Sequence, residues 1–121
     1  MSRRDEVIEI LRGRGATFAY VFGSVARGEA KAGSDLDIAA YFPSPSPASF
    51  EIILPTGVDL LVLNSAPLEL AGRVALEGVL LFEDDPAERV HWEATTRKVY
   101  LDERYRIERA HQEFLESVSR G

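Results

Sequence analysis

The sequence predicts an α+β fold: a small mixed β-sheet packed against helices, followed by one long C-terminal helix. Three observations carry this prediction. Short β-branched and aromatic runs at 17–22, 35–42, 58–63 and 79–82 are separated by turns bearing Gly and Pro. Apolar residues at helical spacing mark 3–12 and 67–77. After Asp85 nothing breaks a helical pattern until about Ser117. All 121 residues are expected to form one domain, 1–121.

Each element has a local reason. In 3–12, Val7, Ile8 and Leu11 share a face, Ser2 is placed to cap the start, and Gly13 and Gly15 mark the stop. Thr17 to Phe22 reads as a mostly buried strand that ends abruptly at Gly23 and Ser24. Val25 to Ala30 has room for one or two helical turns before Gly33, and a second strand runs from about Asp35 to Phe42. Pro43, Pro45 and Pro47 exclude a central strand over 43–49, so that stretch is expected to be a stiff, exposed loop. Phe50 to Leu54 is expected to form a short strand before the turn at Pro55 to Gly57, and Val58 to Leu63 a stronger one. Pro67 opens a helix that Gly78 ends near Glu77, and Val79 to Phe82 follows as a strand. The last helix has the best start signal, with Asp85 at the N-cap, Pro86 at the first position and Glu88 at the third. Glu93–Arg97, Asp102–Arg106 and Arg109–Glu113 are spaced as i,i+4 ion pairs along it. At about thirty residues it is long for this chain, which points to a bend or a partner surface. Trp92, Tyr100 and Tyr105 are read as packing residues, and His91 as structural or exposed.

Composition narrows the chemistry. There is no Cys, which removes disulfides, thiolate catalysis and Cys-ligated zinc or iron–sulfur sites. Two His make a His-rich metal centre a poor fit. The net charge of -6 argues against strong nucleic-acid binding, although a nucleotide can still be held by backbone groups and a divalent ion. No apolar run reaches the roughly 20 residues of a membrane helix and no targeting segment is evident at the start. The expectation is a cytoplasmic protein without a membrane partner. Residues 31–82 carry two basic against six acidic side chains, the strongest acidic bias in the chain.

That bias has a centre. Asp35 and Asp37 lie one residue apart in an apolar strand, and the period of two points both to one face. Paired carboxylates repel and are costly to desolvate, and a hard divalent cation, magnesium or manganese, resolves both problems. Asp59 is a third carboxylate, in the run Val58 to Val62, and converges on the pair if the two strands are neighbours. The alternative is that these aspartates cap strand ends or face water, although Asp is depleted from strands. Gly23 and Ser24 form a turn whose amides and hydroxyl can hold phosphate oxygens; the alternative is an ordinary turn with a capping serine.

Gly23–Ser24 followed after ten residues by Asp35-Leu36-Asp37 resembles the signature of the polymerase-beta-like nucleotidyltransferase superfamily. The longer strings Gly23 to Gly28 and Ser34 to Asp37 resemble its minimal nucleotidyltransferase (MNT) family, and the likeness runs from the first helix through Phe82. The resemblance implies the polymerase-beta-like fold and a metal-dependent transfer of AMP from ATP. It implies that Asp35, Asp37 and Asp59 are catalytic and hold two magnesium or manganese ions. Gly23 and Ser24 would bind the triphosphate, with Arg27 and Lys31 near its oxygens and Ser34 supporting the ligands. It also implies a helical HEPN-family partner, often an RNase toxin, that some MNT members AMPylate on tyrosine; homo-oligomerisation stays open. Two readings stand beside this one: an antitoxin that acts through its interface without catalysis, and transfer to a small molecule or RNA end. The family usually inserts a helix of a dozen or more residues where this chain has the short, Pro-bearing stretch 43–57. Arg106 and His111 imitate the spacing found in HEPN RNases, but at i and i+5 they do not share a helix face, and the match is read as chance.

Overall fold

A computed structural model describes residues 2–28 and 35–120. The first helix, α1, spans Arg3–Gly13, and the Ser2 hydroxyl accepts from the Asp5 amide at 3.1 Å. Gly15 takes φ +94°, a turn conformation that delivers the chain into β1, Phe18–Phe22. A four-residue helix, α2, spans Gly23–Ala26, and β2 spans Leu36–Tyr41. Then come β3, Val58–Val62, the helix α3, Leu68–Glu77, and β4, Val79–Glu83. The last helix, α4, spans Pro86–Arg120.

The sheet order is β3-β2-β1-β4. β1 pairs antiparallel with both β2 and β4, whereas β2 and β3 are parallel. Side-chain alternation divides the core between the two faces. Val7 and Leu11 of α1 cover Ala19, Val21, Leu36, Ile38 and Ala40. On the opposite face Phe18, Tyr20 and Ala39 meet Val74 of α3 and Trp92 of α4. Trp92 lies 5.8 Å from the Phe18 ring and 5.7 Å from that of Tyr20, as expected of a packing residue.

A parallel pair needs a long crossover, usually a helix. Here the crossover is the segment between Tyr41 and Val58, and the strand expected at Phe50 to Leu54 does not form. Ser49–Glu51 is instead a single 3-10 turn, from which Ile52 enters the α1-side core while Phe50 and Ile53 face outward. Ile52 therefore anchors the segment as one apolar residue rather than as a ladder of backbone bonds. At the far end of β2, the Asn64 side chain accepts from the Phe42 amide at 3.0 Å and donates to its carbonyl at 2.5 Å. That amide extends the β2–β3 ladder past the end of β3.

The start of α4 has the expected Asp85 cap, which accepts from the Glu88 amide at 3.0 Å. Glu88 does not turn back to complete a capping box; its carboxylate accepts from the Thr17 hydroxyl at 2.6 Å and ties α4 to β1. Glu93 is the centre of a denser clamp, accepting from Tyr20 at 2.8 Å and pairing with Arg89 and Arg97. Burial and this carboxylate push the Tyr20 hydroxyl's pKa above its ordinary value. Farther along, Arg109 pairs with Glu113 as expected, but Arg106 pairs with Glu103, and Asp102 with Lys98. The i,i+3 partner of Arg106 is within reach on the same face, so it displaces the i,i+4 one.

Buried contacts of α4 end at Tyr100, whose ring lies against Gly72 of α3. A Cβ at Gly72 would stand 2.2 Å from Tyr100 Cγ. Beyond Glu103 every described residue of α4 is exposed, including Tyr105, Ile107, Phe114 and Val118. We predict that Gly72→Ala destabilises the chain by about 1–2 kcal/mol, the steric cost exceeding the helix-propensity gain. Urea denaturation measures this; a variant as stable as wild type would show that contact at Tyr100 does not set the α3–α4 spacing.

Candidate active site

The site is built by strand register. Phe22, the last residue of β1, lies opposite Asp37 of β2, and Asp37 lies opposite Asp59 of β3. Asp37 and Asp59 therefore share the face that carries Ala39 and Leu61 farther along the same strands. The two carboxylates are neighbours because the strands are parallel and in this register.

Gly23 closes the cluster from the other side. It follows Phe22 directly with φ +73°, and a Cβ there would stand 2.4 Å from Asp37 Oδ2. A side chain at this position would collide with the carboxylate, so glycine is required by both backbone and space. Ser24, the next residue, is half-buried. Arg27 ends the turn, its amide donating to the Gly23 carbonyl at 3.2 Å. Asp35 stands exposed just before β2, where the Leu36 amide donates to the Gly57 carbonyl at 2.8 Å. Gly57 is also left-handed, at φ +83°. A Cβ built on it would lie 3.9 Å from Asp35 Oδ1 and 3.2 Å from the Arg3 guanidinium.

Electrostatics ties the three aspartates together. The Asp37 carboxyl is raised above the usual carboxylate range, first by burial, then by Asp59 and Asp35, with Arg27 opposing. Among the described residues no three acidic or histidine side chains stand as a ready-made cation site. The donor chemistry nevertheless suits a hard divalent ion: Asp37 and Asp59 are paired across β2 and β3, and Asp37 is held partly out of water and repelled by Asp59 and Asp35. Ser34 and Lys31 lie outside the described residues. His91 is exposed. The sequence reading passed over Arg73 and Glu77 of α3, which line a cavity together with Gly23. Their only sequence signal is a helix following the strand of Asp59.

Residues 5–87 match the family described as Polymerase beta, Nucleotidyltransferase. A glycine turn against aspartates on adjacent strands defines the class, and the chain belongs to this nucleotidyltransferase family. Solved structures extend the likeness over nearly the whole chain. A chain of a toxin–antitoxin crystal structure with AMP-PNP is 24% identical, with a TM-score of 0.72 and coverage of 95% of this chain and 97% of that one. A chain of the toxin–antitoxin MntA-HepT is 22% identical, with a TM-score of 0.67 and 96% of each chain covered. A third belongs to a complex of the tri-AMPylated Shewanella oneidensis HEPN toxin with MNT antitoxin. It is 21% identical, with a TM-score of 0.67 and coverage of 96% and 95%. No curated protein sequence matches the chain. Among the described residues no helix is long and apolar enough to cross a membrane.

The raised Asp37 carboxyl has a consequence for stability. Folding favours its neutral form, so ionising it weakens the fold as pH rises through its folded pKa. Asp37→Asn should therefore stabilise the metal-free chain at neutral pH. The gain should shrink on acidification and vanish below about pH 3.9, where the unfolded aspartate is protonated too. Denaturation in EDTA between pH 7 and pH 4 checks this, and an Asp37→Asn variant less stable at pH 7 would contradict it.

Proposed function

We propose that this chain is a metal-dependent nucleotidyltransferase that moves AMP from ATP to a hydroxyl of a HEPN-type protein partner, as the antitoxin of such a pair. We also propose that residues 1–121 act as one minimal domain. The observation that carries the reading is the pairing of Asp37 with Asp59 under a glycine turn that has no space for a side chain. The solved relatives support the acceptor class, since one complex holds AMP-PNP and another a tri-AMPylated HEPN toxin.

In this reading Asp35, Asp37 and Asp59 hold two magnesium ions, with manganese as a substitute. Bound there, the ions would lower the pKa of the acceptor hydroxyl and neutralise charge on the triphosphate. Gly23 lets the chain approach the phosphates closely, and the Ser24 hydroxyl and Arg27 guanidinium supply donors to them. Ser34 would support the acidic ligands. The acceptor oxygen attacks the α-phosphorus, forming the new P–O bond as the bond to pyrophosphate breaks. Asp59, on the edge strand β3, would take the proton of the incoming hydroxyl.

In this reading the acceptor surface comes largely from the partner, since the described residues are taken up by one sheet and its helices. A second reading, inhibition of the partner by contact alone, is favoured by the far half of α4, which is exposed on all sides. The two are separated by labelling. Purified chain, magnesium, labelled ATP and the product of the neighbouring gene should give label on the partner. Asp35→Ala with Asp37→Ala should reduce transfer to background without loss of helical signal. Absence of transfer by wild type while ATP still binds would refute the catalytic reading. Full inhibition of the partner by an Asp35, Asp37 and Asp59 triple alanine variant would favour the second reading.

A further inference from the structure

We infer that the cavity between α2 and α3 receives the base of the nucleotide, with Arg73 and Glu77 reading its edge. This rests on the nucleotide-binding half of the proposed function. The cavity has a volume of about 140 Å³. Sites that enclose a whole drug-sized ligand measure about 300–1,000 Å³, so this one accommodates a single group of a larger molecule. Its position identifies which molecule. Gly23 forms part of its wall and also faces the Asp37 carboxylate, so the cavity opens beside the cluster that would hold the phosphates.

The lining suits a flat heteroaromatic ring. Phe22, Ala26 and Leu70 give apolar surface for the ring faces. Leu70, Arg73 and Glu77 stand at i, i+3 and i+7 on α3, which puts all three on one side of the helix. Arg73 supplies donors and Glu77 an acceptor, matching a base edge where acceptor and donor atoms alternate. Arg73 also pairs with Glu69 one turn back, its Nη2 2.9 Å from Glu69 Oε1 in an exposed ion pair. Arg27 also lines the cavity and in the proposed function serves the triphosphate; a further phosphate held at Arg73 would meet the Glu77 carboxylate one turn away, which repels an anion. A tyrosine from the acceptor would fill the apolar walls but has one hydroxyl to satisfy two oppositely charged groups.

Calorimetric titration with ATP and with inorganic tripolyphosphate, each with magnesium, separates these occupants. For Arg73→Ala and Glu77→Gln we expect ATP binding to weaken about tenfold or more while tripolyphosphate binding changes less than about twofold. Retained tripolyphosphate binding also shows that each variant is folded. Glu77→Gln should in addition change the ratio of ATP to GTP affinity, since an amide replaces a pure acceptor. Equal weakening of ATP and tripolyphosphate would overturn the inference in favour of a phosphate subsite. Unchanged ATP binding with lost transfer would overturn it in favour of the acceptor. Base-selective ATP binding by a wild-type chain that transfers no AMP would refute the proposed function and leave the base cavity standing.

Discussion

The parallel pairing of β2 with β3 is the constraint on which the rest of the site depends. On one face of these strands Leu36 and Ile38 are fully buried against α1, with Val58 and Leu60 packed beside them. A slip of one residue in register would turn those side chains toward the other face, so burial fixes the pairing. The same register necessarily sets Asp37 beside Asp59. Two like charges on one rung are unfavourable in themselves. Hydrophobic burial on one face thus imposes an electrostatic strain on the other, and that strain is relieved when a cation or a proton arrives.

The remaining elements hold this arrangement in place. Gly23 permits the close approach of β1's end to Asp37, and any larger residue would push the turn away. Asn64 extends the β2–β3 ladder by bonding both polar groups of Phe42. The Glu93 clamp, with Arg89, Arg97 and Tyr20, fixes α4 across β1 and positions α3 through the Arg97 bond to the Ala75 carbonyl at 2.7 Å. That places the α3 face carrying Arg73 opposite the glycine turn.

Much of the fold was legible because its signals are local. The Ser2 and Asp85 caps, the breaks at Gly13 and Gly78, and the strands around Asp37 and Asp59 follow from side-chain size, period and capping chemistry. The strand expected at Phe50 to Leu54 failed for a reason that lies elsewhere in the chain: β3 occupies the edge beside β2, and Ile52 gains its burial from α1 instead. The Arg106 partner was misassigned because i,i+3 and i,i+4 acids compete on one face. In the site, the aspartates and the glycine turn could be found from spacing. That Asp37 and Asp59 are neighbours could only be conditional until strand order was known. Arg73 and Glu77 were invisible in sequence because a charged pair on an amphipathic helix looks the same whether it faces water or a cavity.

The central claim is that Asp35, Asp37 and Asp59, under the Gly23 turn, form a divalent-ion and nucleotide site. A crystal structure of the chain grown with manganese and a non-hydrolysable ATP analogue tests it most directly, because manganese is located by its anomalous scattering. The account predicts manganese peaks bonded to carboxylate oxygens of Asp37 and Asp59, with the triphosphate against Gly23 and Ser24. Manganese and nucleotide bound together elsewhere, with Asp37 and Asp59 left as bare neighbours, would contradict it.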